Sequence, residues 1–363
     1  MKGFKREHGG NRLEVAWAHG HSLDQLIDFS ANINPFGPPP SVFESIRENL
    51  SEVAHYPDHE SRGLKEALAE YLSVKPSSII LGNGSVELIY LLTNYFRPRF
   101  AIIPAPTFCE YELAIKAVGG EVIHIRLEKE DGFTIHINEI LEVLPRVQMV
   151  FLCNPNNPTG NLFAKEDLLQ ILERADELKV VFILDEAYMD FVEERERFSL
   201  IREVEKRENI FVLGSLTKFF ALAGLRVGYA VANSRFVGEL NFIKNPWNIN
   251  CFAQVAGVSA LRDIEFMKRS RIKIRENGHH LFMALSGING LKPYPPQANF
   301  MLVEIKHWVW DSKKLQNELA RRRLLIRDCE SFRGLGKGFI RLAIRTREEN
   351  EKLIDALKEI LSS

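Results

Sequence analysis

Two cations stand in one otherwise apolar run of this chain. SLTKFFALAGLR, residues 215–226, carries Lys218 and Arg226 among Leu, Phe, Ala and Gly, with Ser215 and Thr217 just ahead. Burying two like charges is costly unless an anion lies between them. The run therefore calls for an anionic ligand, held by hydroxyls and a guanidinium, beside an amine able to react. Three more polar clusters close apolar runs. LGNGSVE, 81–87, precedes a helical pattern; Gly84 lets the backbone approach a ligand, and Ser85 and Val86 would open a helix whose free N–H groups suit a phosphate. CNPNNPTG, 153–160, is a turn fixed by two prolines that presents Asn157. ILDEAY, 183–188, holds Asp185, a carboxylate that needs a positive partner its sequence neighbours do not supply, and Tyr188.

One ligand satisfies all four clusters. Pyridoxal phosphate needs an amine for its aldehyde, a carboxylate for its protonated ring nitrogen, a hydrogen bond at its phenolic oxygen and an anion site for its phosphate. Lys218 is the amine, its pKa lowered by its surroundings so that it can attack. Asp185 is the carboxylate, and Asn157 and Tyr188 reach the phenolic oxygen. Ser215, Thr217, Arg226 and the Gly84–Val86 backbone take the phosphate, and Phe108 in PAPTFCEY is placed to stack on the ring. Three rivals are weaker. A dinucleotide site fails because Glu87 replaces the third glycine and no acid lies near position 104. Ser215 to Lys218 also fits the SxxK of serine acylases, but SDN and KTG elements are missing. A non-enzymatic binding module is disfavoured by the intact Lys–Asp–Arg set.

Those side chains need elements to hold them. From about residue 78, seven short apolar runs (SIIL, FAIIP, EVIHI, MVFLC, VVFIL, IFVLG, VGYAVA) alternate with helical patterns such as KEDLLQILERADEL. Continuous apolar strands between helices predict an α/β fold on a mostly parallel sheet covered on both faces. Ligands bind such sheets at the C-terminal strand ends, where the four clusters fall. Near residue 245 long helices begin, including IEFMKRSRIKIRENGHHLFMAL. NFMLVEI, LLIRD and FIRLAIR follow as strands, then a last helix opened by a Thr346–Glu349 capping box. The expected division is an arm over 1–40, extended rather than packed and contributing to the small domain and the active site, a large cofactor-binding α/β domain over 41–245 and a small α+β domain over 246–363.

Composition sets outer limits. The 363 residues are 45% hydrophobic and 26% charged, as in ordinary globular proteins. A net charge of −1 gives no electrostatic reason to bind nucleic acid or an anionic membrane. No apolar run reaches the roughly 18 residues of a membrane span, and the start lacks the apolar stretch of a secretion signal, so a cytoplasmic protein is expected. Cys109, Cys153, Cys251 and Cys329 are far apart and read as reduced thiols. His55 and His59 are four apart, but Pro57 between them argues against a helix aligning them on zinc, so no metal is expected.

Further cations bear on the substrate. In FIRLAIR, Ile340, Leu342 and Ile344 take one strand face while Arg341 and Arg345 share the other. Two arginines on one face repel each other unless they meet solvent or an anion. Arg327, in LLIRD, ends a neighbouring strand; with Arg341 it offers charge for a substrate bearing both a carboxylate and a phosphate. HGGN, 8–11, adds the His8 imidazole and a flexible backbone at Gly9 able to wrap an oxyanion.

NPTG, then DEAY, then SxTK with an arginine eight residues on resemble, in order and spacing, the fold-type I aminotransferase superfamily over nearly the whole chain. That resemblance implies a pyridoxal-phosphate enzyme with a large domain on a mostly parallel, mixed seven-stranded sheet. HGGN, DFSANINPFG, HYPD, LLIRDC and FIRLAIR together resemble its threonine-phosphate decarboxylase branch, which serves cobalamin biosynthesis. The implied reaction converts L-threonine O-3-phosphate to (R)-1-aminopropan-2-yl phosphate. Lys218, Asp185 and Tyr188 would be catalytic, and His8, Gly9, Asn32, Asn157, Arg327 and Arg341 would touch substrate. A homodimer is also implied, with Tyr56 reaching the cofactor phosphate of the partner subunit. The sister branch, the histidinol-phosphate aminotransferases, shares NPNNPTG, DEAY, YPD and the lysine segment. The HGGN arm and Arg345, where that branch usually has glycine, favour the decarboxylases. Ala223 stands where both often carry proline, a departure expected to alter the turn and not the chemistry.

Overall fold

The large domain is organised around its strands, and each of the seven apolar runs becomes one of them. The structure, a computed structural model, describes residues 8–362. A two-residue strand, β1 (Ile27–Asp28), precedes β2 (Ile79–Asn83), β3 (Phe100–Ala105), β4 (Glu121–Arg126), β5 (Met149–Cys153), β6 (Val181–Asp185), β7 (Ile210–Ser215) and β8 (Val227–Ala232). The last seven form one sheet in the order β2-β8-β7-β6-β5-β3-β4. β8 runs antiparallel to both neighbours, and every other pairing is parallel. Successive residues enter different cores: Val150, Leu152, Phe182 and Leu184 pack on one face, Met149, Phe151, Val181 and Ile183 on the other. A strand that is apolar at every position can be satisfied only by covering both faces.

This topology positions the site. Parallel strands bring Asn83, Cys153, Asp185 and Ser215 to one edge of the sheet. The reversed β8 brings its N-terminal end to the same edge, with Ser215 beside Gly228 and Asn83 beside Val227, so Arg226 arrives there too. Gly228 is needed for close approach. A Cβ on it would lie 2.2 Å from the Ser85 nitrogen, so the start of helix Ser85–Phe96 rests directly on β8.

The C-terminal region adds β9 (Leu291–Pro293), β10 (Phe300–Ile305), β11 (Leu324–Leu325), β12 (Arg327–Asp328) and β13 (Phe339–Ala343). β12-β13-β10-β9 make a four-stranded antiparallel sheet. Helix Ile264–Ser286 packs on it and on the closing helix Arg347–Ser362. The capping box forms: Thr346 N–H donates to Glu349 Oε2 at 3.2 Å, and Glu349 N–H to Thr346 Oγ1 at 3.3 Å. LLIRD is divided, because β11 pairs in parallel with β1 while β12 joins the other sheet.

The arm departs from expectation. It is not wholly extended: Arg12–His19 is a helix, ended by Gly20 at φ 67°, a left-handed conformation in which glycine pays no Cβ penalty. The segment after it is sewn into the C-terminal strands. Phe29 N–H donates to the Leu325 carbonyl at 2.7 Å, and Ala343 N–H to the Phe29 carbonyl at 2.8 Å.

Candidate active site

A cavity of about 350 Å³ opens at the strand-end edge, between the large sheet, the arm and the small sheet. Lys218 enters it from the turn after β7, which Leu216, Phe219 and Phe220 pin by complete burial. The arm clasps the same turn. Asn34 N–H donates to the Lys218 carbonyl at 3.0 Å and Asn34 Nδ2 to the Phe219 carbonyl at 2.9 Å. The half-buried Lys218 amine lies 5.9 Å from the centre of the Tyr188 ring. Burial, with Arg341 and Arg226 nearby, pulls the Lys218 ammonium down to about 8, and Asp185 opposes the shift. A usable fraction is therefore neutral near pH 7, the form that attacks a carbonyl.

Asp185 ends β6 and is buried. Tyr111 O–H donates to its Oδ2 at 2.7 Å and Ala187 N–H to its Oδ1 at 2.9 Å. Burial raises its pKa, while those two donors and Lys218 act in the opposite direction. Nothing in the sequence marks Tyr111 as the clasp of this carboxylate; only the packing of helix Glu110–Ala117 onto the sheet brings it there. Tyr188 stays a neutral hydroxyl, because burial pushes it up to about 12. Its oxygen accepts from Asn32 Nδ2 at 3.3 Å.

At the far wall, Arg341 Nη1 donates to Asn157 Oδ1 at 2.5 Å and Nη2 to the Ser30 carbonyl at 2.7 Å. Arg327 sits directly opposite Arg341 across β12 and β13, and both are buried. Like charges facing each other across strands are destabilising. Burial accordingly lowers the Arg341 pKa, and Arg327 leans on Ser331 Oγ at 2.7 Å. An anion between the two arginines would relieve the repulsion. Arg345 does not join them: β13 ends at Ala343, and Arg345 turns to the Asp28 carbonyl at 3.1 Å and Glu349 Oε1 at 2.8 Å. The expectation that it shares the Arg341 face is corrected, because strand alternation stops where the strand stops.

These groups fit pyridoxal phosphate. The buried Asp185 carboxylate forms no ion pair among the described residues, as a partner for a protonated ring nitrogen would require. Among the described residues, the buried atoms Asn32 Oδ1 and Arg341 Nε have no hydrogen-bond partner, and both residues line the cavity. At the phosphate end, Gly84 has φ +79°, and a Cβ there would lie 2.3 Å from Arg226 Nη2. Ser85 and Val86 open the helix, and Ser215 and Thr217 line the same wall. Arg226 itself is exposed, not buried as its apolar neighbours suggest. It precedes β8 on the open rim, in the left-handed region at φ 60°.

His8, Gly9 and Phe108 also line the cavity. Tyr56 does not; it is 81% exposed and stacks on Trp247, ring centres 4.7 Å apart. Beyond the expected residues, the cavity takes in Ser30, Glu110, Tyr111, Ser331 and Phe332. The ligand atoms of His8, Cys109 and Glu110 lie within 4.8 Å of one another, a grouping no sequence spacing announced. All four cysteines are free thiols.

Known proteins share this architecture. The family model for aminotransferase class I and II matches residues 24–357. Threonine-phosphate decarboxylase from Salmonella typhimurium is 38% identical over 361 residues, 99% of this chain and 98% of that protein. Among solved structures, histidinol-phosphate aminotransferase from Clostridium acetobutylicum superposes with a TM-score of 0.87 at 33% identity, covering 93% of this chain and 99% of that one. L-threonine-O-3-phosphate decarboxylase from Porphyromonas gingivalis gives 0.81 at 27% identity, covering 92% and 99%. No helix among the described residues is long and apolar enough to cross a membrane.

Proposed function

That the chain belongs to the class I and II aminotransferase family is the premise from which we propose its reaction, the decarboxylation of L-threonine O-3-phosphate to (R)-1-aminopropan-2-yl phosphate. Its cofactor is pyridoxal phosphate. One observation carries the choice of substrate: two buried arginines face each other in the cavity that also holds Lys218. A substrate whose amine lies at Lys218 then meets separate cations with its carboxylate and its phosphate.

When bound, pyridoxal phosphate supplies an aldehyde that takes up an amine and a protonated ring that draws electrons from a bond at the α-carbon. Lys218 Nζ would be the amine that holds that aldehyde. Asp185, fixed by Tyr111 and Ala187, keeps the proton on the ring nitrogen. Ser215, Thr217, Arg226 and the backbone from Gly84 to Val86 hold the cofactor phosphate, while Asn157 and Tyr188 take the phenolic oxygen and Phe108 the ring face. Arg341, with Asn32 and Asn157, holds the substrate carboxylate, and His8, Gly9 and Arg327 anchor its phosphate. Fixing both ends decides which bond at the α-carbon breaks, an effect of orientation more than of reactivity. Lys218 Nζ, facing the cavity, is placed to return the proton the α-carbon then needs.

In this scheme residues 41–245 carry the cofactor, and the arm over 1–40 and the region 246–363 carry the substrate groups. The enzyme works in cobalamin biosynthesis in the cytoplasm. It acts as a homodimer in which Tyr56 reaches the partner's cofactor phosphate. Support for the dimer comes from exposed apolar side chains beside Tyr56, among them Val53 and Trp247, a kind of surface that marks interfaces.

The deciding experiment supplies the cofactor-loaded protein with threonine O-phosphate and, separately, with histidinol phosphate and 2-oxoglutarate. Carbon dioxide and aminopropanol phosphate from the first are expected. Glutamate from the second, with no carbon dioxide from the first, would assign amino transfer instead, the activity named for the structure that superposes at 0.87.

A further inference from the structure

Glu110 is a buried acid in a cavity that takes two anionic groups, and none of the roles above uses it. It is 1% exposed and opens helix Glu110–Ala117. Tyr90 O–H donates to its Oε2 at 3.0 Å, and its Oε1 meets His8 Nε2 at 2.9 Å. A carboxylate here repels an incoming phosphate unless a hydrogen-bond donor stands between them. His8 meets this carboxylate and lines the same cavity. Its ring contacts Phe108, with centres 5.9 Å apart, and Glu110 engages its Nε2.

The strap that carries His8 has little slack. A Cβ on Gly9 would lie 2.0 Å from the Ser30 carbonyl oxygen, and Gly10 N–H donates to Ser30 Oγ at 2.8 Å. Ser30 is itself fixed, its hydroxyl donating to Asp28 Oδ1 at 2.6 Å, and its carbonyl also receives Arg341 Nη2. One end of the strap is therefore tied to the carboxylate-binding arginine, and the other to the large domain through Glu110.

We propose that Glu110 is a positioning residue that holds the His8 imidazole across the cavity mouth, so that His8 and not Glu110 faces the substrate phosphate. This rests on the reading of the substrate as a phosphorylated amino acid. The test is a double-mutant cycle of Glu110→Gln and His8→Ala in the cofactor-loaded enzyme, with threonine O-phosphate and L-threonine as paired substrates. Glu110→Gln is expected to raise KM for threonine O-phosphate by about 10-fold, more than it lowers kcat, as loss of a charge-assisted hydrogen bond would. The loss with L-threonine, which has no phosphate, should be smaller. In the double variant Glu110→Gln should add little to His8→Ala, the signature of a residue acting through another.

Equal losses on both substrates, or full additivity, would overturn the proposal. If Glu110→Gln does not fold, Tyr90→Phe is read in its place and should show a weaker loss of the same pattern. Inorganic phosphate binding, measured calorimetrically in the same four proteins, separates this test from that of the reaction. Should the wild type release no carbon dioxide, the reaction assignment fails, yet the cycle on phosphate affinity still decides the role of Glu110. Activity lost to a chelator and restored by zinc would assign His8, Cys109 and Glu110 to a metal, and would also overturn it.

Discussion

The two halves of the cavity are held together in different ways. In the cofactor half, Asp185, Ser215 and Lys218 sit on or just beyond the ends of strands in register, Asp185 beside Cys153 and Ser215 beside Gly228. In the substrate half, Arg341 reaches Asn157 and Ser30, 184 and 311 residues away in the chain, and His8 reaches Glu110 across 102. The large sheet fixes its strand ends by shared backbone hydrogen bonds, whereas the other wall, with Arg327 and Arg341 on the small sheet, meets the large domain through single side-chain contacts between distant segments. The contrast suggests a division of labour: the rigid half sets what the cofactor can do, and the assembled half sets which bond it does it to.

Asp185→Ala should produce the largest effect and tests that division most directly. It is expected to lower kcat about 10³-fold, as loss of preorganised charge stabilisation does, and alike for every substrate. Cofactor retention, read by absorbance, should fall far less. Undiminished turnover would remove Asp185 from the chemistry altogether. Arg341→Gln comes next, with kcat/KM for threonine O-phosphate down about 10²-fold, within the range for truncating one partner of a buried charged contact. Its cofactor spectrum should match the wild type; a spectrum that changes with the activity would show that the halves are not separable.

Lys218 joins the halves electrostatically, which gives a subtler test. The apoprotein should take up cofactor faster as pH rises through about 8 and level off above it, because the neutral amine is the attacking form. Arg341→Gln removes one cation that depresses this group, so the midpoint should move to higher pH. A midpoint that stays put would leave burial and Arg226 as its causes. The smallest effect is expected outside both halves. Thr346→Ala breaks the capping box and should cost about 1 kcal/mol in a urea titration, with kcat/KM little changed.

The cofactor half was legible in the sequence for the reason that makes it rigid. A strand buried on both faces must be apolar at each position, so the seven runs stand out, and the polar residues that interrupt them at their ends mark the site. The substrate half was only partly legible. FIRLAIR indicated Arg341, but its alternation also put Arg345 on the same face, and the strand ends at Ala343 before that holds. Helix Arg12–His19 in the arm was missed, since a Gly-rich start and an Asn-rich stretch mask eight helical residues between them.

By itself, then, the order of amino acids determined the seven strands and the polar residues that end them, Asp185 and Ser215 among them, because each depends on neighbours within a few residues. Tertiary structure alone placed Tyr111 on Asp185, set Arg327 against Arg341 and brought Glu110 to His8. Those meetings depend on strand register and on helices docking across the chain, and no local pattern records which distant side chains will share a wall.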